Sequence, residues 1–132
     1  MKQNILVIED DSFLRDLLKK KLESFGFQVS EAIDGDKGIK KAKEEKPDLI
    51  LLDLLLPTTD GFEVLSRVKQ ESSTSSIPVV ILSNLGQKED IDRCMKLGAT
   101  DYLIKAQSTP DDIVAKIKIT NIGVGVKLNA CV

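Results

Sequence analysis

The fold of this chain is decided by the stretch Leu49-Ile-Leu-Leu-Asp-Leu-Leu-Leu-Pro57. It is a run of apolar residues, flanked by Pro47 and Pro57, with a single carboxylate, Asp53, at its centre. Short apolar runs between turn residues are typical of strands buried on both faces of a parallel sheet. Because a buried carboxylate without a partner is costly, we expect the strand to end at Asp53 and its side chain to face a solvated crevice with cations. A lone Asp is more often a helix cap or a structural acid, so the interpretation of Asp53 depends on its neighbours.

The composition indicates one compact domain with a single core. The 132 residues are 42% hydrophobic and 30% charged, and the formal net charge is −2 with both signs interspersed. This balance argues against a nucleic-acid-binding surface. No apolar run approaches the ~18 residues of a membrane span, and the start shows no signal-peptide pattern. We therefore expect a cytoplasmic protein that does not bind membranes.

Histidine is absent from the chain and cysteine is rare. The absence of histidine excludes the usual zinc sites and any phosphohistidine relay contained within the chain. Cys94 and Cys131 lie far apart and lack a metal-binding spacing, which is typical of reduced thiols in an intracellular protein. A disulfide between the two is the less favoured alternative.

Strands and helices alternate along the sequence. Short apolar segments predict strands at residues 4–8, 27–32, 49–53, 78–82 and 101–104. Amphipathic or capped helices are predicted after each of them, beginning near residues 14, 37, 60, 87 and 109. Five such units predict an α/β domain with a doubly wound parallel sheet. The flavodoxin-like (βα)5 strand order 2-1-3-4-5 fits best, because the second strand has a polar face that suits an edge position.

Polar side chains are predicted at the carboxyl ends of four of these strands, where ligands bind in such sheets. The first strand is followed by Glu9 and Asp10, the third ends at Asp53, the fourth at Ser83 and the fifth at Lys105. Three clustered carboxylates need a cation, and their hard oxygen atoms suit Mg²⁺. One lysine and one hydroxyl are suited to an anion bound beside that metal. The set therefore predicts a cradle for a phosphoryl group, with Asp53 as the nucleophile.

The same residues resemble a known family, the receiver domains of two-component response regulators. The matching motifs are Ile5-Leu-Val-Ile-Glu-Asp-Asp11, Pro47-Asp-Leu-Ile-Leu-Leu-Asp-Leu-Leu-Leu-Pro57, Asp60-Gly61, Ile77-Pro-Val-Val-Ile-Leu-Ser83 and Gly98-Ala-Thr-Asp-Tyr-Leu-Ile-Lys105. The resemblance extends over residues 1–119. It implies a signalling switch that accepts a phosphoryl group on Asp53 from a sensor histidine kinase or a phosphotransfer protein. It also implies that the protein is not an enzyme, although it assists its own phosphorylation and dephosphorylation.

The resemblance assigns a role to each residue of the predicted metal site. It implies that Asp10 binds Mg²⁺ directly and that Glu9 does so mainly through water. Asp53 and the backbone carbonyl of Leu55 are implied as the other protein ligands.

The resemblance also implies how phosphorylation is transmitted. Lys105 is expected to contact the phosphoryl group, and Ser83 to move and donate a hydrogen bond to it. Tyr102 is then expected to rotate inward into the space that Ser83 vacates. This rotation would remodel the face formed by the fourth helix, the fifth strand and the fifth helix, to which an output protein binds. The chain is expected to be a monomer or a phosphorylation-dependent dimer.

Three departures from the family pattern affect the predicted site. Ala106 stands where the family usually has a proline in a cis peptide that orients the lysine, so the bond after Lys105 is either strained or trans. Asn84 replaces the small residue that commonly follows the serine, which narrows the predicted route to Asp53. Leu55 and Leu85 occupy the two positions that control access of hydrolytic water. Because both are apolar, we predict a long-lived phosphoryl state.

Residues 120–132 do not continue the pattern of the last helix. Apolar residues from Ile122 to Ala130 alternate with Gly, Lys and Asn, which gives a period of two. This tail could be an extra strand, a strand swapped onto a neighbour, a linker remnant or a disordered segment. We therefore place the receiver domain in residues 1–119. The sequence leaves open whether the chain is a stand-alone protein or an excised domain.

Other classes of protein fit the residues less well. A phosphatase of the haloacid-dehalogenase type needs a second Asp two residues after the nucleophile, where this chain has Leu55. A flavodoxin needs a phosphate-binding loop after the first strand, where Glu9, Asp10 and Asp11 would repel phosphate. A pseudo-receiver, which binds partners without phosphorylation, usually lacks one of the acids or the lysine. It stays the alternative because of Ala106.

Overall fold

A computed structural model of the chain describes the backbone of residues 2–130 and the side chains of residues 2–120. The strands are Asn4–Ile8 (β1), Gln28–Ala32 (β2), Leu49–Leu52 (β3), Val79–Ser83 (β4) and Asp101–Ile104 (β5). The α-helices are Ser12–Ser24 (α1), Gly35–Glu45 (α2), Gly61–Gln70 (α3), Lys88–Leu97 (α4) and Pro110–Ala130 (α5), and a short 3₁₀ turn covers Lys105–Gln107. Strands and helices thus alternate five times, as the sequence predicts.

The five strands form one parallel sheet with the order β2-β1-β3-β4-β5. This confirms the predicted flavodoxin-like order, with β2 at an edge. Ile8 lies opposite Leu52 in the register of β1 and β3, and Ser83 lies opposite Ile104 in that of β4 and β5. The residues that follow β1, β3 and β5 therefore emerge at one edge of the sheet, next to the end of β4.

Apolar side chains cover the sheet on both faces. The strands β1, β3 and β4 alternate between the two faces and are almost fully buried. One core lies under α2, α3 and α4 and includes Ile39, Val64, Leu65, Val68 and Cys94. The other lies under α1 and α5 and includes Leu18, Leu22, Ile113, Val114 and Ile117. Burial of this apolar area is the main force that holds the strand ends in place.

Most of the predicted helix ends are observed. Gly26 after α1 and Gly98 after α4 have φ of 91° and 107°, the left-handed conformation that favours glycine. The Thr109 hydroxyl accepts a hydrogen bond from the Asp112 amide, which caps α5 as predicted. Helix α2 differs from the prediction, since it begins two residues before the predicted start near residue 37. Asp34 caps α2 through the Lys37 amide, and α2 begins at Gly35.

The backbone after residue 119 is helical. Helix α5 continues to Ala130, so residues 120–130 do not form the strand that was among the alternatives for the tail. Once the first turns of a helix have formed, adding further residues is favourable, and the alternating pattern does not prevent it. Cys94 is buried with a free thiol. Cys131 and Val132 lie outside the described residues, as does the alternative disulfide. Among residues 2–130, no helix has both the length and the apolar character needed to cross a membrane.

Candidate functional site

The predicted polar residues converge at the carboxyl edge of the sheet. Glu9, Asp53 and Ser83 are almost completely buried, with 2%, 3% and 0% of their surface exposed. The ammonium of Lys105 lies between two of these groups, with Nζ 2.8 Å from Glu9 Oε1 and 2.9 Å from Asp53 Oδ2. A buried carboxylate persists where a cation and hydrogen bonds compensate its desolvation. The structure thus brings these predicted residues together at one edge of the sheet.

The backbone around Asp53 fixes its carboxylate. The Asp53 amide donates to the Ile8 carbonyl at 3.1 Å, which extends the pairing of β3 with β1 by one residue. Asp53 Oδ1 then accepts a hydrogen bond from the Leu55 amide at 3.1 Å. The loop after Asp53 packs tightly on the start of α3, where a Cβ on Gly61 would lie 2.3 Å from the Leu54 Cα atom. Only glycine allows this approach, so Gly61 holds the loop that orients Asp53.

Glu9 is held by its backbone and by its side chain. Its amide donates to the Ala32 carbonyl at 3.0 Å, and its Oε2 accepts from the Asp11 amide at 3.1 Å. Burial raises the pKa of Glu9 to about 7, with a further rise from the charge of Asp53, although Lys105 and the Asp11 amide oppose the shift. Because this pKa lies close to neutral pH, the charge on the Glu9 carboxyl is sensitive to a nearby cation.

The three acids fit a divalent cation. Carboxylate oxygens of Glu9, Asp10 and Asp53 lie within 4.8 Å of one another, and Asp10 is exposed to solvent. An all-oxygen set with one open side is the ligand chemistry that Mg²⁺ prefers, since this ion keeps several waters. The role of the Leu55 carbonyl as a further ligand stays a prediction.

The peptide bond after Lys105 does not prevent this geometry. The part of the chain that the structure describes contains no cis peptide bond, so the Lys105–Ala106 bond is trans. Lys105 begins the 3₁₀ turn and nevertheless reaches both carboxylates. Burial lowers the pKa of Lys105, but the hydrogen bonds and charges of Glu9 and Asp53 outweigh it and raise the pKa above its ordinary value. Lys105 is therefore a fixed positive charge.

Ser83 and Tyr102 meet at the loop that follows β4. The Ser83 hydroxyl accepts a hydrogen bond from the Leu85 amide at 3.3 Å. The Tyr102 hydroxyl donates to the Leu85 carbonyl, and the half-buried ring packs against the core under α4. Burial raises the pKa of Tyr102 to about 12, so the hydroxyl stays a donor. The ring already lies inward in this structure, and its predicted rotation stays a prediction.

The residues that were predicted to control access to Asp53 differ in exposure. Leu55 has 52% of its surface exposed, and Leu85 is half-buried against the core. Asn84 is exposed to solvent. The effect of these residues on hydrolytic water stays a prediction.

One residue near the site was not singled out from the sequence. Arg15 lies between the apolar positions of the amphipathic helix α1, and its guanidinium Nη1 donates to the Glu9 carbonyl at 2.8 Å. Its Nε donates to Glu31 Oε2 at 2.8 Å, and the side chain is only 15% exposed. The signal available in the sequence was an arginine one helical turn after Glu9-Asp10-Asp11.

Comparison with known proteins agrees with this geometry. Residues 5–118 match the family described as the response regulator receiver domain. The phosphate regulon transcriptional regulatory protein PhoB of Escherichia coli (strain K12) is 43% identical over 118 residues. The match covers 89% of this chain and 51% of that protein. The chain thus spans about half the length of the curated relatives it matches.

Solved structures of response regulators share the fold. The Mn²⁺-bound form of response regulator Rcp1 has a TM-score of 0.78 and 30% identity, and the match covers 89% of this chain and 92% of that one. The phosphorylated cyanobacterial phytochrome response regulator RcpA has a TM-score of 0.82 and 28% identity, with coverage of 94% and 96%. This chain belongs to the family of response regulator receiver domains of two-component systems.

Proposed function

We propose that this chain is a phosphorylation-dependent signalling switch in which Asp53 accepts a phosphoryl group in the presence of Mg²⁺. The observation that carries the proposal is the Asp53 carboxylate itself. It is 3% exposed, paired with Lys105 at 2.9 Å and grouped with two further acids at the strand ends. Burial and a fixed cation at one anionic oxygen make a nucleophile suited to phosphoryl transfer.

The chemical step needs the groups of the site, a bound Mg²⁺ and a phosphodonor, with solvent as the source of any proton that the leaving group takes up. A carboxylate oxygen of Asp53 forms a bond to phosphorus while the bond from phosphorus to the donor's leaving group breaks, and the leaving group then takes up a proton. Mg²⁺ bound by the acids would supply positive charge that neutralises the oxygens of the transferring phosphoryl group. The Lys105 ammonium, released from Glu9 and Asp53, is within reach of the new phosphoryl oxygens. The buried Ser83 hydroxyl is placed to donate to one of them.

The donor is expected to be another protein. The chain contains no histidine, so it has no phosphohistidine of its own. Family membership supports a sensor histidine kinase or a phosphotransfer protein as the source of the phosphoryl group. The protein is thus a phosphoacceptor that assists its own phosphorylation and dephosphorylation, without turning over a separate substrate.

The output is expected at the face formed by α4, β5 and α5. The Tyr102 hydroxyl on β5 is bonded to the Leu85 carbonyl, and the Leu85 amide is bonded to Ser83. A movement of Ser83 toward a phosphoryl group therefore disturbs the loop that Tyr102 contacts. An output protein that binds this face, or a second copy in a phosphorylation-dependent dimer, would detect the change.

The test is phosphorylation by acetyl phosphate with Mg²⁺, followed by intact mass. We expect the parent chain to gain one phosphoryl group, Asp53→Asn to gain none, and Asp16→Asn, an exposed acid on α1, to behave as the parent does. Omission of Mg²⁺ should abolish the gain. A parent that binds Mg²⁺ but stays unmodified would overturn the proposal and favour the phosphorylation-independent pseudo-receiver.

A further inference from the structure

We infer that Arg15 is a positioning residue for the cation site, an inference that rests on the proposed function. Arg15 contacts neither the metal ligands' carboxylates nor the phosphoryl site. Its guanidinium instead binds the backbone carbonyl of Glu9, at 2.8 Å, and thereby fixes the peptide unit between Glu9 and Asp10. Two of the three acids of the cation site project from the two ends of that peptide unit.

The Glu9–Asp10 peptide lies beyond the part of β1 that the sheet holds. Strand β1 ends at Ile8, and the Glu9 amide makes one more bond to β2, at the Ala32 carbonyl. The Glu9 carbonyl points the other way, and the hydrogen bond that it receives comes from Arg15. Buried carbonyl groups need a partner, so loss of this bond favours rotation of the peptide toward water. Such a rotation would carry Asp10 away from Asp53.

Arg15 is itself anchored to a second strand. Its Nε donates to Glu31 Oε2 at 2.8 Å, and Glu31 Oε1 also forms an ion pair with Lys19 Nζ at 3.3 Å. Glu31 lies on β2, so one guanidinium joins helix α1, the end of β1 and the edge strand. The planar guanidinium presents its donors in fixed directions from separate nitrogen atoms, whereas the donors of a lysine ammonium rotate about a single nitrogen.

A positioning role and a purely electrostatic role of Arg15 predict opposite changes in Mg²⁺ affinity when the residue is replaced. The guanidinium is a positive charge close to the acidic cluster, so its removal should strengthen cation binding if Coulomb repulsion were its main effect. If Arg15 instead holds the Glu9–Asp10 peptide, its removal should weaken cation binding. The direction of the change in Mg²⁺ affinity therefore separates the two effects.

The experiment is a Mg²⁺ titration of the ¹⁵N-labelled protein followed by amide chemical shifts, which also reports whether each variant is folded. For Arg15→Met we expect the Kd for Mg²⁺ to rise about 10-fold, as is usual when a residue that supports metal ligands is lost. Arg15→Lys keeps the charge but loses the rigid, planar arrangement of donors, so an intermediate Kd is expected. Phosphorylation by acetyl phosphate should slow at low Mg²⁺ and recover at saturating Mg²⁺.

Two further variants complete the test. Lys19→Met removes the other cation on Glu31 and should leave the Kd unchanged, while Glu31→Gln should raise it, because Arg15 loses its charged anchor. An Arg15→Met or Arg15→Lys protein that binds Mg²⁺ as tightly as the parent, or more tightly, would overturn the inference. If Arg15→Met fails to fold, Arg15→Lys and Glu31→Gln decide the matter. A parent that does not bind Mg²⁺ would instead contradict the proposed function.

Discussion

Lys105 is the residue on which the resting site depends. Its ammonium is 2.8 Å from Glu9 and 2.9 Å from Asp53, so it occupies the place between acids that a cation also favours. The same group is the one expected to stabilise the phosphoryl group after transfer. We therefore expect lysine and metal to compete for the carboxylates in the resting state and to act together once Asp53 is phosphorylated.

This competition gives a test with Lys105→Met. We expect the rate of phosphorylation by acetyl phosphate to fall about 100-fold, as when one fixed donor to a developing anion is removed. Mg²⁺ binding should tighten, because the metal no longer displaces an ammonium from Glu9 and Asp53. Amide chemical shifts give the affinity and intact mass gives the rate. Weaker Mg²⁺ binding in this variant would show that Lys105 organises the acids and does not compete for them.

The raised pKa of Glu9 predicts how stability changes with pH in the metal-free protein. The folded-state pKa is about 7 against an ordinary value of 4.5, so the folded state binds more protons between these two values. Its contribution to stability is fully present below pH 4.5 and is lost as the pH rises through 7. The expected size is on the order of 1–3 kcal/mol.

Urea unfolding in the presence of a chelator measures this effect. The free energy of unfolding of the parent should fall relative to that of Glu9→Gln as the pH is raised from 4.5 to 7.5. Equal slopes for the two proteins would show that Glu9 titrates in its ordinary range.

At the scale of single residues, the sequence predicted which residues belong to the site better than it predicted their contacts. Glu9, Asp53, Ser83 and Lys105 were predicted because each follows or ends a recognisable strand. The role of Arg15 could not be predicted, because its two acceptors lie on β1 and β2 and meet it only when the register of the sheet is known.

Among the helices and strands, α2 shows most clearly that local sequence patterns do not determine where an element begins. Asp34 and Gly35 have the composition of a turn, but Asp34 adopts an extended conformation and caps the helix. Gly35 is needed for a different reason, since a Cβ there would lie 2.6 Å from Val64 Cγ2 on α3. Turn and cap use the same residue types, and only packing between α2 and α3 distinguishes them. The strands were predicted well because their burial leaves a simple apolar run.

The end of α2 predicts a stabilising substitution. Lys46 has φ of 48° and ψ of 64°, a left-handed conformation that is unfavourable for a residue with a Cβ. We expect Lys46→Gly to raise the free energy of unfolding by about 0.5–1 kcal/mol. Urea denaturation measures the change. Lys46→Ala is the control and should bring no such gain, since alanine keeps the Cβ.

In the middle of α2, a glycine is expected to be more stabilising than the residue that would replace it. Alanine is normally favoured over glycine within a helix by about 1 kcal/mol. A Cβ at Gly38, however, would lie 2.5 Å from Cδ1 of Ile8, directly before Glu9. We therefore expect Gly38→Ala to lower the free energy of unfolding by about 1–3 kcal/mol.

Truncation of the partner provides the control for this prediction. Ile8→Val removes the Cδ1 atom, so the double variant should be more stable than the sum of the two single changes implies. Additive changes would mean that α2 shifts away from β1 and avoids the contact.

For the whole molecule, a single sheet with a core on each face links the site to global stability. A cation that binds only the folded state stabilises the entire domain by mass action. We expect the melting temperature of the parent to rise with the logarithm of the Mg²⁺ concentration, and that of Asp10→Asn to stay nearly constant. Asp10 is exposed, so its replacement leaves both cores intact. A melting temperature that rises equally in both proteins would place the cation elsewhere.

The charges of the site couple cation binding to the phosphorylation of Asp53. Three carboxylates and one ammonium leave two negative charges when all groups are ionised, and one divalent cation balances them. Conversion of Asp53 to an acyl phosphate replaces a single charge with nearly two, so the cluster becomes more negative and should hold the cation more tightly. Binding free energies are reciprocal, so a tighter cation must in turn favour the phosphorylated form. The concentration of free Mg²⁺ should thus shift the equilibrium between the unphosphorylated and the phosphorylated chain, even at a fixed concentration of phosphodonor.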